Sequence, residues 1–176
     1  MLNRVKQVVA AFTAKVSPED RAFIGQHLNA REEQLFYSMN LPDQRHALNV
    51  AYTAQKLALA YKGAVDAGLL VRCALLHDVG KRRGDVSTWD KIITVLIHKL
   101  FSERAKHWGR YGRGGKIANI RHAVYIYFHH PERSVDFLQS IGTKENVIDI
   151  VRRHHAMPRQ NDPVELNLLR QADDLH

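Results

Sequence analysis

The sequence is poorest in cysteine, with one, Cys73, among 176 residues. A single thiol cannot close an intrachain disulfide, so a packed core must hold the chain and a reducing compartment suits it. Cys73 falls inside the apolar run before His77, where a small buried side chain is expected. Long apolar runs are missing as well. No stretch approaches the roughly 20 residues of a membrane-spanning helix. The first residues, Met1-Leu2-Asn3-Arg4-Val5-Lys6, lack the continuous apolar stretch of a secretory signal. The expected location is cytoplasmic, at most peripheral to a membrane. Alternating apolar and polar positions are absent, which argues against a sheet, and there is no internal repeat. Acidic residues are few: 18 Asp and Glu stand against 26 Lys and Arg, a net charge of +8. That balance favours anionic partners (nucleotide, nucleic acid or acidic lipid) without choosing among them, and no nucleic-acid motif adds support.

What is present is helical period. Ser17-Pro18-Glu19-Asp20 combines a capping hydroxyl, a first-position proline and first-turn acids, and predicts a helix to about Met39. Leu41-Pro42-Asp43 starts the next, with Ala47, Val50, Ala51, Ala54, Leu57 and Ala58 as its apolar stripe. A junction framed by Gly63 and Gly68 leads to a helix through Leu69, Leu70, Ala74, Leu75 and Leu76 that Gly80 ends. Ser87-Thr88-Trp89-Asp90 predicts an amphipathic helix to about Phe101, and the four glycines between Gly109 and Gly115 predict a loosely ordered turn. A helix over Ile117 to Tyr127 follows, and Pro131 is expected to begin another. Thr143-Lys144-Glu145-Asn146 opens a helix ending near His155, and Asp162-Pro163-Val164-Glu165 opens the last. The expectation is one all-α domain over 1–176: a helical bundle at 43–175 with an N-terminal helical extension at 1–40.

From Val86 to Tyr125 eight Lys and Arg accompany only Asp90 and Glu103, interleaved with Trp89, Ile92, Ile93, Leu96, Phe101 and Trp108. This basic amphipathic insertion reads as a helix packed on the core, as a lid, or as a contact with an acidic membrane surface.

The chemistry lies in the histidines. The run Ala74-Leu75-Leu76-His77-Asp78-Val79-Gly80-Lys81 delivers an imidazole and a carboxylate side by side to the end of an apolar helix. His46 precedes the pair by 31 residues, and His130, His154, His155 and Asp173 follow it. Asp173 shares a helix face with Leu166 and Leu169, so its carboxylate points inward, where an unpaired charge is costly and a divalent cation would compensate it. Asp174 is its rival if the helical phase shifts by one. His154 and His155 can reach one site only at a helix end, because neighbours on a regular helix diverge by about 100°. Mixed imidazole and carboxylate donors suit Fe, Mn, Zn or Co better than Ca or a lone Mg. Asp78, flanked by imidazoles, is the natural bridge between two ions. His27, His98, His107, His122 and His176 read as ordinary side chains, and His129 as a packing or solvent-facing neighbour of His130.

His46, the doublet in the form HDVGK, and Asp173 in an Ala-Asp pair resemble the HD-domain metal-dependent phosphohydrolases, over about residues 43–175. The resemblance implies an all-α bundle and hydrolysis of a nucleotide or related phosphate mono- or diester. His130-Pro131 and His154-His155 resemble the members that bind two ions. The implied metal ligands are His46, His77, Asp78, His130, His154, His155 and Asp173, with a divalent transition metal: Fe or Mn first, and Zn, Co or Mg as alternatives. Asp78 would orient the attacking water, and Lys81 would face a substrate phosphate or else serve as a solvated helix-end cation. Arg45, Arg133 and Arg153, each near a ligand, are candidates for gripping that phosphate. Where the cyclic-di-GMP phosphodiesterase branch carries a Gly-Tyr-Pro stretch, this chain reads Ala156-Met157-Pro158-Arg159-Gln160. Two other classes stay open: a non-catalytic nucleotide- and metal-binding regulatory module, and a membrane- or nucleic-acid-associated protein with a structural metal. The pattern does not set the oligomeric state.

Overall fold

The computed structural model describes residues 15–86 and 107–176. Among these residues lie seven helices and no strand, the all-α bundle that the periodicity predicts. The helix expected from Ser87 to Phe101 lies outside the described residues.

Ser17 and Asp20 cap each other at the start of α1 (Pro18–His27), at 3.1 Å and 2.8 Å. The single helix expected to reach Met39 is in fact two. Leu28 is extended, and Asn29 caps α2 (Ala30–Tyr37) by accepting from the Arg31 and Glu32 N–H groups at 3.0 and 3.1 Å. Glu32 returns the bond to the Asn29 N–H, a second capping box that competes with continuation of α1.

α3 (Leu41–Ala60) buries the predicted stripe against α4 (Ala67–Leu76). α4 is apolar apart from Arg72: Leu70, Val71, Cys73, Ala74, Leu75 and Leu76 are at most 1% exposed. A helix so nearly apolar must be enclosed, and α1, α2, α3, α6 and α7 pack around it. α4 ends at Leu76, four residues before Gly80, and a tight turn over 77–80 follows.

Two charged clusters fasten α1 and α2 to this core. Glu32, fully buried, accepts from Arg72 through Nε and NH2 (2.6 Å at the shortest) and from the Thr143 hydroxyl. Asp20 accepts a two-pronged bond from Arg45 and a 2.9 Å bond from the Tyr52 hydroxyl.

α5 runs unbroken over Lys116–Ser140, so Pro131 does not open a new helix but sits inside one. The reason is local: the Tyr127 carbonyl that a residue-131 N–H would have reached accepts instead from His130 Nδ1 at 2.7 Å. The glycine turn before α5 is more tightly held than expected. The N–H groups of Arg110, Gly112 and Gly114 donate to the Arg121 carbonyl, His122 Nδ1 and Asn119 Oδ1. α6 (Glu145–Arg153) and α7 (Val164–Asp174) complete the described elements. Pro163 precedes α7 instead of forming its first residue, and Asp162 does not cap it. Its carboxylate is taken by Arg153 and Arg170 at 2.7 and 2.6 Å, charge-assisted bonds that outcompete a backbone cap. No helix among the described residues is long and apolar enough to cross a membrane.

Candidate metal centre

Five elements meet at one end of the bundle. α3 brings His46, the 77–80 turn brings His77 and Asp78, α5 brings His130, the end of α6 brings His154 and His155, and α7 brings Asp173. His46 Nε2 lies 3.0 Å from Asp173 Oδ1 and 3.8 Å from Asp78 Oδ2. His77 Nε2 lies 3.5 Å from Asp78 Oδ2 and 3.7 Å from Asp173 Oδ1. Across the carboxylate, His130 Nε2 lies 3.2 Å from Asp78 Oδ1. Three overlapping sets, each with its ligand atoms within 4.8 Å of one another, result: His46–His77–Asp173, His77–Asp78–His154 and His130–His154–His155.

The backbone decides which nitrogen each buried imidazole presents. Nδ1 of His77, His130 and His154 lies 2.8, 2.7 and 2.6 Å from the carbonyl three residues earlier, at Ala74, Tyr127 and Val151. A carbonyl can only accept, so Nδ1 carries the proton and Nε2 keeps a lone pair for the site. Ala74 and Val151 occupy the last turns of α4 and α6, where carbonyls outnumber helical N–H groups. The third, Tyr127, lies four residues before Pro131, which has no N–H to donate to it.

Burial favours the neutral form of His130, His154 and His155. His154, 3% exposed, is pushed down to about 3 by desolvation and then by the neighbouring His77 and His155. Desolvation first, and then Lys81, hold His130 well below the usual histidine value, and desolvation also lowers His155. His46 goes the other way: burial opposes its charge, but the hydrogen bond to Asp173 and the charges of Asp78 and Asp173 together raise it. Asp78 stays ionised although burial works against it, because Lys81, His77, His130 and His46 hold its carboxyl far below the carboxylate range. Asp173 is likewise lowered against the cost of burial, chiefly by His46.

Four buried polar atoms converge here without a hydrogen-bond partner: Nε2 of His77, His130 and His154, and Oδ1 of Asp78. Leaving such atoms unsatisfied is expensive, and three imidazole lone pairs beside an anionic oxygen fit a divalent cation. The Lys81 ammonium, 2.8 Å from Asp78 Oδ2, offsets one negative charge but makes no hydrogen bond to any of the three imidazole lone pairs.

The remaining candidates are placed elsewhere. Arg45 grips Asp20, Arg133 holds Asp85 at 2.9 Å, and Arg153 is shared by Asp149 and Asp162. His129 stacks on Tyr125 at 4.3 Å, and Asp174 is exposed, so Asp173 is the member of its pair that meets His46.

Two residues support the site in a way that their type does not announce. Ser134, fully buried one turn beyond His130, donates to the His77 carbonyl at 3.0 Å and accepts from the Gly80 N–H at 2.8 Å. Gly80, read from sequence as a helix stop, permits that approach: a Cβ there would lie 2.3 Å from the His130 carbonyl oxygen. In the sequence Ser134 is marked only by its place four residues after His130, on the same helix face.

A sequence model of the HD domain matches residues 44–176, most of the chain and all seven converging residues. The protein belongs to the HD-domain family of metal-dependent phosphohydrolases. No curated protein and no solved structure gives a significant match. The HD-domain match spans α3 through α7 and leaves out α1 and α2, which the Glu32 and Asp20 clusters nevertheless tie to the matched core. The HD doublet sits just beyond α4, on a turn instead of in the helix, and Asp78 there faces His77 of the same turn, His46 of α3, His130 of α5 and His154 of α6.

Proposed function

We propose that this HD-domain protein hydrolyses a nucleotide or related phosphate mono- or diester at a centre of two divalent ions. The observation that carries the reading is the orientation of Asp78. Its Oδ2 faces His46 and His77, its Oδ1 faces His130, and each side has its own further ligands. A carboxylate so placed could serve two ions: His46, His77 and Asp173 would hold one, and His130, His154 and His155 would hold the other. The mixed nitrogen and oxygen donors favour Fe or Mn, with Zn, Co or Mg as alternatives. Bound there, such ions activate water at neutral pH and neutralise charge building on a phosphoryl oxygen.

The chain's own residues do the rest. The three backbone-anchored imidazoles hold Nε2 inward with no reorganisation needed on loading, and the depressed basicity of His130 and His154 keeps protons from competing for them. Asp78 remains anionic and orients what lies between the two ligand sets. Lys81 is at hand to move from Asp78 to a phosphate oxygen, placing a positive charge where negative charge develops.

The test is metal analysis of anaerobically purified protein, followed by a panel of nucleotide and simple phosphate esters assayed with Mn and Fe. Two ions per chain and turnover of at least one ester are expected, with both lost in Asp78→Ala. One ion per chain would overturn the binuclear centre. Full loading with no turnover on any ester would favour a non-catalytic nucleotide-binding module.

A further inference from the structure

α7 sends a second side chain to the metal end of the bundle. Three residues before Asp173, Arg170 turns its guanidinium onto the end of α6. It donates to the His154 carbonyl at 3.3 Å, the Arg153 carbonyl at 3.0 Å, Asp162 Oδ2 at 2.6 Å and Asn167 Oδ1 at 3.2 Å. The Arg170 side chain is 11% exposed and that of Asp162 only 1%. Asp162 is itself held by Arg153 and by the Arg159 N–H, so the segment from His154 to Asp162 is closed upon α6 and α7.

The position of these bonds matters more than their number. Adjacent residues on a continuing helix point about 100° apart and could not both serve one ion. Here α6 has ended, and the rings of His154 and His155 stand 4.0 Å apart, centroid to centroid. The His154 carbonyl belongs to the peptide that joins the two residues. Carbonyls at a helix end need a donor from outside the helix, and Arg170 is that donor. Its planar fork spans two successive carbonyls and a carboxylate at once, which an ammonium could not do.

We propose that Arg170 is a positioning residue for the His154–His155 pair: by fixing the peptide between them it sets the affinity of the ion held by His130, His154 and His155. The proposal rests on the two-ion reading above. The His46–His77–Asp173 ion depends on other contacts and is left untouched.

The experiment is a Co²⁺ titration of metal-free protein, followed by calorimetry and by the visible absorption of the bound ion. Wild type is expected to bind in two steps, assigned through His46→Ala and His155→Ala. In Arg170→Gln the step assigned to His155 should weaken about 10- to 100-fold with its absorption band altered, while the other step is unchanged. Arg170→Lys keeps the charge without the fork and should weaken the same step. Asp162→Asn leaves Arg170 but loosens its anchor, and should weaken it less. Far-UV circular dichroism checks that each variant folds; if Arg170→Gln does not, the lysine and Asp162 variants carry the comparison. Two unchanged steps, or equal weakening of both as a purely structural role would give, overturn the proposal. A single step in wild type overturns the two-ion reading itself, and that outcome is read without any Arg170 variant.

Discussion

Lys81 and Asp78 sit 2.8 Å apart at the centre of the ligand cluster, and their division of labour can be separated by substitution. Lys81 has no lone pair to give a cation while protonated, and its contact is with Asp78 alone among the ligand carboxylates at hydrogen-bonding distance. Lys81→Ala should therefore keep its metal content and lose turnover, by about 10²- to 10³-fold in kcat, as for removal of one positioned electrostatic group. Elemental analysis beside steady-state kinetics separates this from Asp78→Ala, which should lose both. A second residue-scale prediction concerns acid. Asp20, lowered to about 2 against the cost of burial by Arg45, Ser17 and Tyr52, binds its proton less readily in the folded chain than in the unfolded one. Its contribution is complete above pH 4 and is lost as the pH falls through about 2. Asp20→Asn should flatten the decline of the urea midpoint over that window; an unchanged decline would show that the cluster does not stabilise the fold.

At the scale of elements, the turn after α4 and the middle of α5 are joined through one hydroxyl and one missing side chain. Ser134→Ala removes the donor to the His77 carbonyl and the acceptor for the Gly80 N–H, and should cost about 1–3 kcal/mol for buried groups left unpaired. Gly80→Ala drives a methyl against the His130 carbonyl and should cost a similar amount, about 1–3 kcal/mol, by overpacking. Both displace the turn carrying His77 and Asp78 relative to His130, so both should lower metal affinity beyond what the loss of stability accounts for. Urea denaturation together with metal titration checks the pair. These contacts explain why the sequence showed the ligand residues more readily than their supports. A histidine or aspartate declares its chemistry by its type, and helix caps such as Ser17 with Asp20 declare themselves by local spacing. Ser134 and Gly80 matter only because α5 happens to cross the 77–80 turn, a relation between residues 54 positions apart. The break at Leu28 and the continuity through Pro131 depart from the sequence pattern for related reasons. In the first, Asn29 and Glu32 form a capping box inside a longer helical pattern. In the second, a side chain substituted for the backbone donor that proline lacks.

For the whole molecule, the ligand cluster is where α3, the post-α4 turn, α5, α6 and α7 come together, and like charges and unpaired atoms accumulate there. A cation that binds only the assembled set stabilises the fold by mass action, by about 2.7 kcal/mol at 100 times its dissociation constant. Chelation should therefore lower the melting temperature, and restoring Mn or Fe should recover it in wild type but not in Asp78→Ala. A melting temperature indifferent to chelation would mean that the cluster is held by hydrogen bonds alone.

Three carbonyls that their helices leave without an N–H, at Ala74, Tyr127 and Val151, serve as reference marks from which His77, His130 and His154 are aimed. Lengthening α4 or α6 by a turn would supply a competing donor, and so would replacing Pro131 by a residue that has an N–H. Either change would re-aim an imidazole while every ligand residue stayed in place. Two chains with identical ligand motifs could then differ in the metal they prefer, because part of that preference is written in where the helices stop.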